Sequence, residues 1–277
     1  MAKLSVKNIL GCLLVFSMNC ALSHSAQAQS IWTQQVEPPS IGLEILKANF
    51  DDFNDVAFST SLIYITTQIP FSEQFVFVGE LPISHADFTF QSFNFSETSV
   101  GNPYVGVKLM LENSPASFEF GLRPNVTPDD KPAAATTAFN TDVDRFEAFI
   151  PKLVTFLGRV HYKQQTGENF VVRLDGGPTL WVFTDNGIDN KTQFWVNYSG
   201  MVGYDGQFFN LFGGITGRVR MSQSGSFGER STHQLGVTAG LNLGHVKPGL
   251  HFRVPIDNQL NNVINYVIGL NLNVELY

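Results

Sequence analysis

From Ile264 to Leu276 the chain alternates without a break. Ile264, Tyr266, Ile268, Leu270, Leu272, Val274 and Leu276 are apolar, and Asn265, Val267, Gly269, Asn271, Asn273 and Glu275 stand between them. Successive side chains of a β-strand point to opposite faces, so this run has one greasy face and one mostly polar face. A helix would scatter both sets around its circumference. The same period recurs in Leu235, Val237, Ala239, Leu241 and Leu243, in Phe194, Val196, Tyr198, Gly200 and Val202, and in Val105, Val107, Leu109 and Leu111. Phe170, Val172 and Leu174, then Phe118, Phe120 and Leu122, then Phe75, Phe77, Leu81 and Ile83 extend it. The fold class expected is all-β.

A soluble β-sandwich alternates too, so the connections have to decide. Short turns near residues 69–73, 112–115, 164–168, 204–206 and 245–248 interleave with longer polar stretches at 51–55, 85–100, 127–144, 184–191, 222–231 and 255–261. That rhythm is the plan of a closed antiparallel transmembrane β-barrel of twelve strands, with both termini on the short-turn, periplasmic side. The strands are expected to begin near Ile41, Val56, Gln74, Gly101, Ala116, Arg145, Asn169, Thr192, Gln207, Thr232, Gly249 and Asn262. Residues 145–152 are open to a short helix instead. The chain carries 25 Phe and 7 Tyr against only 15% charged residues, which is rich for a soluble domain. Tyr162, Phe170, Trp181, Phe183, Phe194, Tyr204, Phe209 and Tyr266 lie near strand ends and suit the two interfacial girdles of a Gram-negative outer-membrane barrel. Closure follows from lipid, because an open edge would leave peptide groups unpaired where no water reaches.

Residues 1–28 read as a secretory signal, with Lys3 and Lys7, an apolar middle from Ile9 to Phe16, and Ala26-Gln27-Ala28 as the cleavage site. The apolar run falls short of the roughly 20 residues a spanning helix needs. Cys12 and Cys20 both lie inside it, so processing leaves no thiol and no disulfide. Residues 29–40, with Trp32 and Pro38-Pro39, form either a periplasmic leader or a plug folded into the lumen. Residues 41–277 form the barrel, a single domain.

If the apolar rows face lipid, the alternate rows line the lumen. They collect Glu80, Lys108, Glu119, Arg123, Arg159, Arg173, Asp175, Arg218, Arg220, Arg253 and Glu275, beside Asn197 and Asn242. Counted from the short-turn ends, Glu80, Lys108, Arg123, Arg159, Arg173, Asp175 and Arg253 fall at comparable heights. Such a belt is either a charge-selective constriction or a structural salt-bridge network, and its basic excess favours anionic or electron-rich solutes. Trp195, Phe208 and Phe212 also point inward, as an obstruction or as a stacking track for aromatic solutes.

The net charge is −7, so the acidic residues must gather in the loops. Asp51, Asp52, Asp55, Asp129, Asp130, Asp142 and Asp144 are expected to face outward, solvated or bridged to lipopolysaccharide by a divalent ion. Nothing resembles a basic nucleic-acid footprint. Neither a nucleophile with its base nor a metal-ligand spacing stands out, since His161 and His251 lie on separate strands and His233 near an outer rim.

Leu81-Pro82-Ile83, followed by Ser99-Val100-Gly101-Asn102-Pro103-Tyr104-Val105-Gly106-Val107-Lys108, resembles a hallmark of the outer-membrane family named for the meta-cleavage pathway of phenol degradation. Physically, Gly101-Asn102-Pro103 suits a loop-to-strand entry, where Gly and Asn tolerate unusual dihedrals and Pro fixes the first strand residue. The resemblance implies an outer-membrane protein that admits small, often aromatic, organic molecules, and it brings no catalytic residues. The reading is a monomeric channel for passive uptake of small solutes, with no cofactor, no catalytic residue and no metal. Its partners would be the lipid bilayer, lipopolysaccharide, the solute and the outer-membrane assembly machinery. A structural or adhesion barrel with a plugged lumen and a lipid-modifying hydrolase are the alternatives.

Overall fold

The computed structural model describes residues 30–276, apart from 35, 51–55, 91–92, 186 and 188–190. The expected signal and Asp51, Asp52 and Asp55 lie outside the described residues. Thirteen β-segments make one sheet: β1 (Ser40–Phe50), β2 (Val56–Pro70), β3 (Phe75–Phe90), β4 (Phe93–Val100), β5 (Tyr104–Met110), β6 (Ala116–Arg123), β7 (Leu153–Thr166), β8 (Phe170–Phe183), β9 (Thr192–Asp205), β10 (Phe209–Arg220), β11 (Ser231–Leu241), β12 (Val246–Pro255) and β13 (Ile264–Glu275). Pairing is antiparallel throughout, and β13 returns to β1, which closes the barrel. β4 pairs with the upper half of β3 and β5 with its lower half, so these two segments share one position and the wall has twelve strands.

The faces sort as the alternation requires. Leu43, opposite Leu272 and Ile65, is exposed with them, while Glu44, opposite Asn271, is buried. An exposed apolar belt around a buried polar interior inverts the order of a soluble protein and is what a lipid-embedded wall needs. The five short turns lie at 71–74, 111–115, 167–169, 206–208 and 242–245, each overlapping the stretch expected for it.

Two long connections differ from expectation. The stretch 85–100 is a β-hairpin, β3–β4, that carries the wall past the barrel rim. Its Phe88, Phe90, Phe93 and Phe95 alternate with Asp, Thr, Asn and Ser, and that polar filling made strand look like loop. The sixth wall strand begins at Leu153 rather than Arg145, because Phe146–Phe149 is a 3-10 turn.

The connection between β6 and β7 turns into the barrel. It contains α1 (Pro132–Thr141), which has Pro in its first turn and buries Ala134, Ala135 and Ala138. Glu97 Oε2 accepts the Ala134 N–H at 2.8 Å, a carboxylate at the helix end where unpaired N–H groups favour one. The small alanines let the helix lie close against the wall, where Ala138, Ala148 and Phe149 pack with Leu46, Leu62, Tyr64, Ile264 and Val267. From the short-turn end the leader enters. Trp32 is fully buried, Gln34 hydrogen-bonds Asn242 through its side chain, and Asn273 Nδ2 donates to the Gln34 carbonyl at 3.0 Å. Trp32 packs against Val171, Met201 and Phe212 of the wall, and Val36 is buried as well.

Candidate functional site

Loop and leader meet in a web of buried ions. Arg145, at the end of the inward loop, is its hub. Its guanidinium stands 2.5 Å from Glu44, 2.8 Å from Glu80 and 2.7 Å from Asp142, and its centre lies 3.5 Å over the Tyr64 ring. Glu80 also meets Arg123 at 2.6 Å. Glu147 lies 3.9 Å from Arg123 and 3.0 Å from Arg218. Asp142 meets Arg253 at 3.0 Å. Arg253 in turn stands 3.4 Å from Asp144, which accepts the Trp32 indole N–H at 2.8 Å. His251 Nε2 closes the web against Glu44 at 3.1 Å. Taking a single ion out of water costs several kcal/mol, so buried charges persist only where opposite charges and hydrogen bonds surround them.

Of the seven belt residues, Glu80, Arg123 and Arg253 are brought together in this web. The partners that complete it, Asp142, Asp144, Arg145 and Glu147, come from the loop. This corrects the outward, solvated placement of Asp142 and Asp144: Asp142 has no exposed surface. The reason is electrostatic, because the basic excess on the wall draws the loop's carboxylates inward. Asp129 does stay at the surface, 3.0 Å from Lys152.

Lys108 and Arg159 flank Glu119 in register on β5, β6 and β7. Tyr104 Oη donates to Glu119 at 2.6 Å, and His161 lies between Glu119, 3.3 Å away, and Asp175. Arg173 sits apart, stacked 3.7 Å over Phe212 and 3.8 Å from Asp205. Phe212 packs beside Trp32 of the leader, and Trp195 packs against Phe146 of the inward loop and Trp181 around Arg218. Phe208 is the exception among the expected lumen aromatics. It stands in the turn before β10, 73% exposed at the short-turn rim, because its inward phase belongs to a residue beyond the strand end. At the junction of leader and loop a cavity of about 80 Å³ remains, bordered by Arg159, His161, Asp175, Asn197, Ser199 and Arg218.

Sequence reasoning missed Asn102 as a functional residue. It is wholly buried where β4 gives way to β5. Its Oδ1 accepts from the Val126 and Thr127 amides at 2.7 and 2.9 Å and from Thr127 Oγ1 at 3.0 Å. Its Nδ2 donates to the carbonyls of Ile150 and Glu147 at 2.8 and 3.2 Å. One side chain thus clasps both ends of the inward loop. Beside it, a Cβ on Gly101 would lie 2.4 Å from the Ala148 carbonyl oxygen, so only glycine lets the loop come this close.

No family model matches the chain, and no curated protein does. Solved structures do resemble it. An outer membrane channel from Pseudomonas putida F1 aligns with a TM-score of 0.57 at 10% identity, over 85% of this chain and 94% of that one. The translocator domain of the autotransporter NalP from Neisseria meningitidis aligns with 0.53 at 10% identity, over 86% and 87%. The β domain of the Bordetella autotransporter BrkA aligns with 0.51 at 10% identity, over 86% and 99%. The fold is an outer-membrane β-barrel. At these identities the likeness establishes architecture and leaves the lumen's role to its own chemistry. Among the described residues no group of three or more His, Cys, Asp or Glu side chains is arranged to hold a metal ion.

The loop carboxylates set the acid response of the closed form. Burial alone would raise the Asp142 carboxyl, but the Arg145 and Arg253 guanidiniums outweigh it and hold it well below the usual range. Glu147 is likewise penalised by burial yet held low by Arg218 and Arg123. A depressed carboxylate stabilises the docked loop at every pH above its unfolded value, about 4, and that stabilisation disappears as pH falls through the lower folded value. Protease cleavage within the loop should therefore stay slow from pH 7 to pH 5 and rise only below about pH 4. A rise already between pH 7 and pH 5 would mean that histidine, not these carboxylates, holds the loop.

Proposed function

We propose that this chain is a passive outer-membrane channel for small solutes, held closed by its own leader and inward loop, as its resemblance to the phenol meta-cleavage family implies. The carrying observation is that the interior is polar. Gln68, Gln234 and Asn271 are buried, and their amide groups have no protein partner among the described residues; buried amides are normally hydrogen-bonded, so we infer that water serves them. A barrel sealed for good would fill its interior with large apolar side chains instead. Polar attachment, unlike an apolar core, can be exchanged for water at small net cost when the plug moves. Arg159, Asn197 and Ser199 border the cavity and offer donors to an anionic or electron-rich organic solute. The barrel fold, shared with a channel from Pseudomonas putida F1, agrees with this reading.

Planar-bilayer recording of the folded chain tests it. The protein lacking the signal should show small, infrequent conductance. Removing residues 30–37 as well should raise it about tenfold, with anion preference and block by small aromatic acids, since conductance follows the open section of the pore. A leaderless barrel that inserts and folds but stays silent would instead favour a structural protein with a permanently closed lumen.

A further inference from the structure

The outer wall of β9, β10 and β11 is indented. Three outward rows can be read from the register. Tyr198, Gly217 and His233 form the row nearest the long loops, Gly200, Ile215 and Leu235 the next, and Val202, Gly213 and Val237 the third. In the lower two rows glycine replaces a large side chain at positions 200 and 213. The result is a groove of about 510 Å³, edged by Val202, Ile215, Leu235, Val237, Phe252 and Val254. Rows lie two residues apart, about 7 Å, so the groove starts one row from Tyr198 and His233.

That first row is polar and built. Tyr198 Oη lies 2.5 Å from His233 Nε2, and His233 Nδ1 lies 3.1 Å from Asp257 Oδ1. The Asp257 carboxylate also accepts the His233 backbone N–H. A carboxylate beside Nδ1 assigns the proton there, so Nε2 accepts from the phenol and leaves lone pairs of Tyr198 Oη free to accept. Glycine is required between the two rings: a Cβ on Gly217 would lie 2.6 Å from the Tyr198 ring and 2.7 Å from that of His233. A short helix, α2 (Phe227–Arg230), sits over the end of the row, with the Phe227 ring 5.6 Å from His233.

We propose that this wall is a binding site for an acylated sugar lipid of the membrane's outer leaflet. One acyl chain fills the glycine groove and a sugar hydroxyl donates to Tyr198 Oη. The occupant follows from position. The groove lies within the apolar belt, so a lipid chain fills it, and a hydrogen-bonding cluster stands at its long-loop end, where head groups lie. The proposal rests on the outer-membrane reading, with long loops outward, and not on whether the lumen opens.

Binding in detergent tests it separately from conductance. Native mass spectrometry of the folded barrel titrated with lipid A should find one lipid held per barrel. Gly213→Leu should weaken that about tenfold, or about 1.4 kcal/mol, by filling the groove. A Cβ there meets nothing closer than 3.8 Å, so the fold tolerates it. Tyr198→Phe, which keeps the ring, should weaken binding about fivefold, as the loss of one hydrogen bond does. Phosphatidylethanolamine should be held at least about tenfold less tightly than lipid A. Equal retention by Gly213→Leu and the wild type, or of phosphatidylethanolamine and lipid A, overturns the proposal.

Discussion

Arg145→Leu is expected to undock the inward loop and to turn a nearly silent barrel into a conducting one. The guanidinium touches three carboxylates at once, Glu44, Glu80 and Asp142, and removing it leaves that negative charge gathered around an apolar side chain. Deleting one partner of a buried ion pair typically costs about 3–5 kcal/mol, because the remaining charge is neither solvated nor matched. Glu80 keeps Arg123, Asp142 keeps Arg253 and Glu44 keeps His251, so the loss falls on docking rather than on the wall. The ladders of all twelve wall strands are untouched by the substitution, and the barrel should still run as a folded, heat-modifiable species. Conductance should rise several-fold, on the order of ten, and protease should cut between residues 124 and 152. Arg145→Lys keeps the charge but cannot reach three carboxylates with one planar fork, so it should fall between. Unchanged conductance together with unchanged cleavage in Arg145→Leu would mean that the ion web is not the latch.

Period-two alternation carries the wall because it is local: each strand announces its own two faces, and short turns separate them wherever Gly, Asn and Pro cluster. The destination of a loop is not local. Arg145 meets partners 65 and 101 residues away in sequence, and Arg253 meets Asp142 across 111. No spacing rule links such residues, and read alone Asp142, Asp144 and Glu147 look like any solvated acidic run. Two signals for the inward turn were nonetheless present. Val143, Phe146, Phe149 and Ile150 interrupt the charges with apolar residues that a solvated loop has no use for. The wall rows also held more basic than acidic residues, an imbalance that a narrow lumen does not leave unanswered. The leader gave a similar hint in Trp32, whose burial against Met201, Val171 and Phe212 is the ordinary fate of a large aromatic beside a hollow.

The second large effect is expected at Asn102, which the sequence marked for the wrong reason. Gly101-Asn102-Pro103 reads as a dihedral device for entering a strand, and it does separate β4 from β5. The asparagine is there for its amide. Asn102→Ala removes five hydrogen bonds to the loop and strands the buried Thr127 amide. At about 1 kcal/mol net for each bond, with more for donors left unsatisfied, docking should weaken by about 3–5 kcal/mol. Protease should then cut the loop and conductance should rise, as in Arg145→Leu. Asn102→Asp keeps an oxygen for the three bonds that Oδ1 accepts and loses the two that Nδ2 donates, so it should be milder. Combining Asn102→Ala with Arg145→Leu separates two pictures of the latch. If the loop docks as one body, the first substitution frees it and the second finds little left to release, so the double variant should conduct about as much as either single one. Fully additive effects would mean that clasp and ion web hold separate bodies, and each could then open a different part of the lumen.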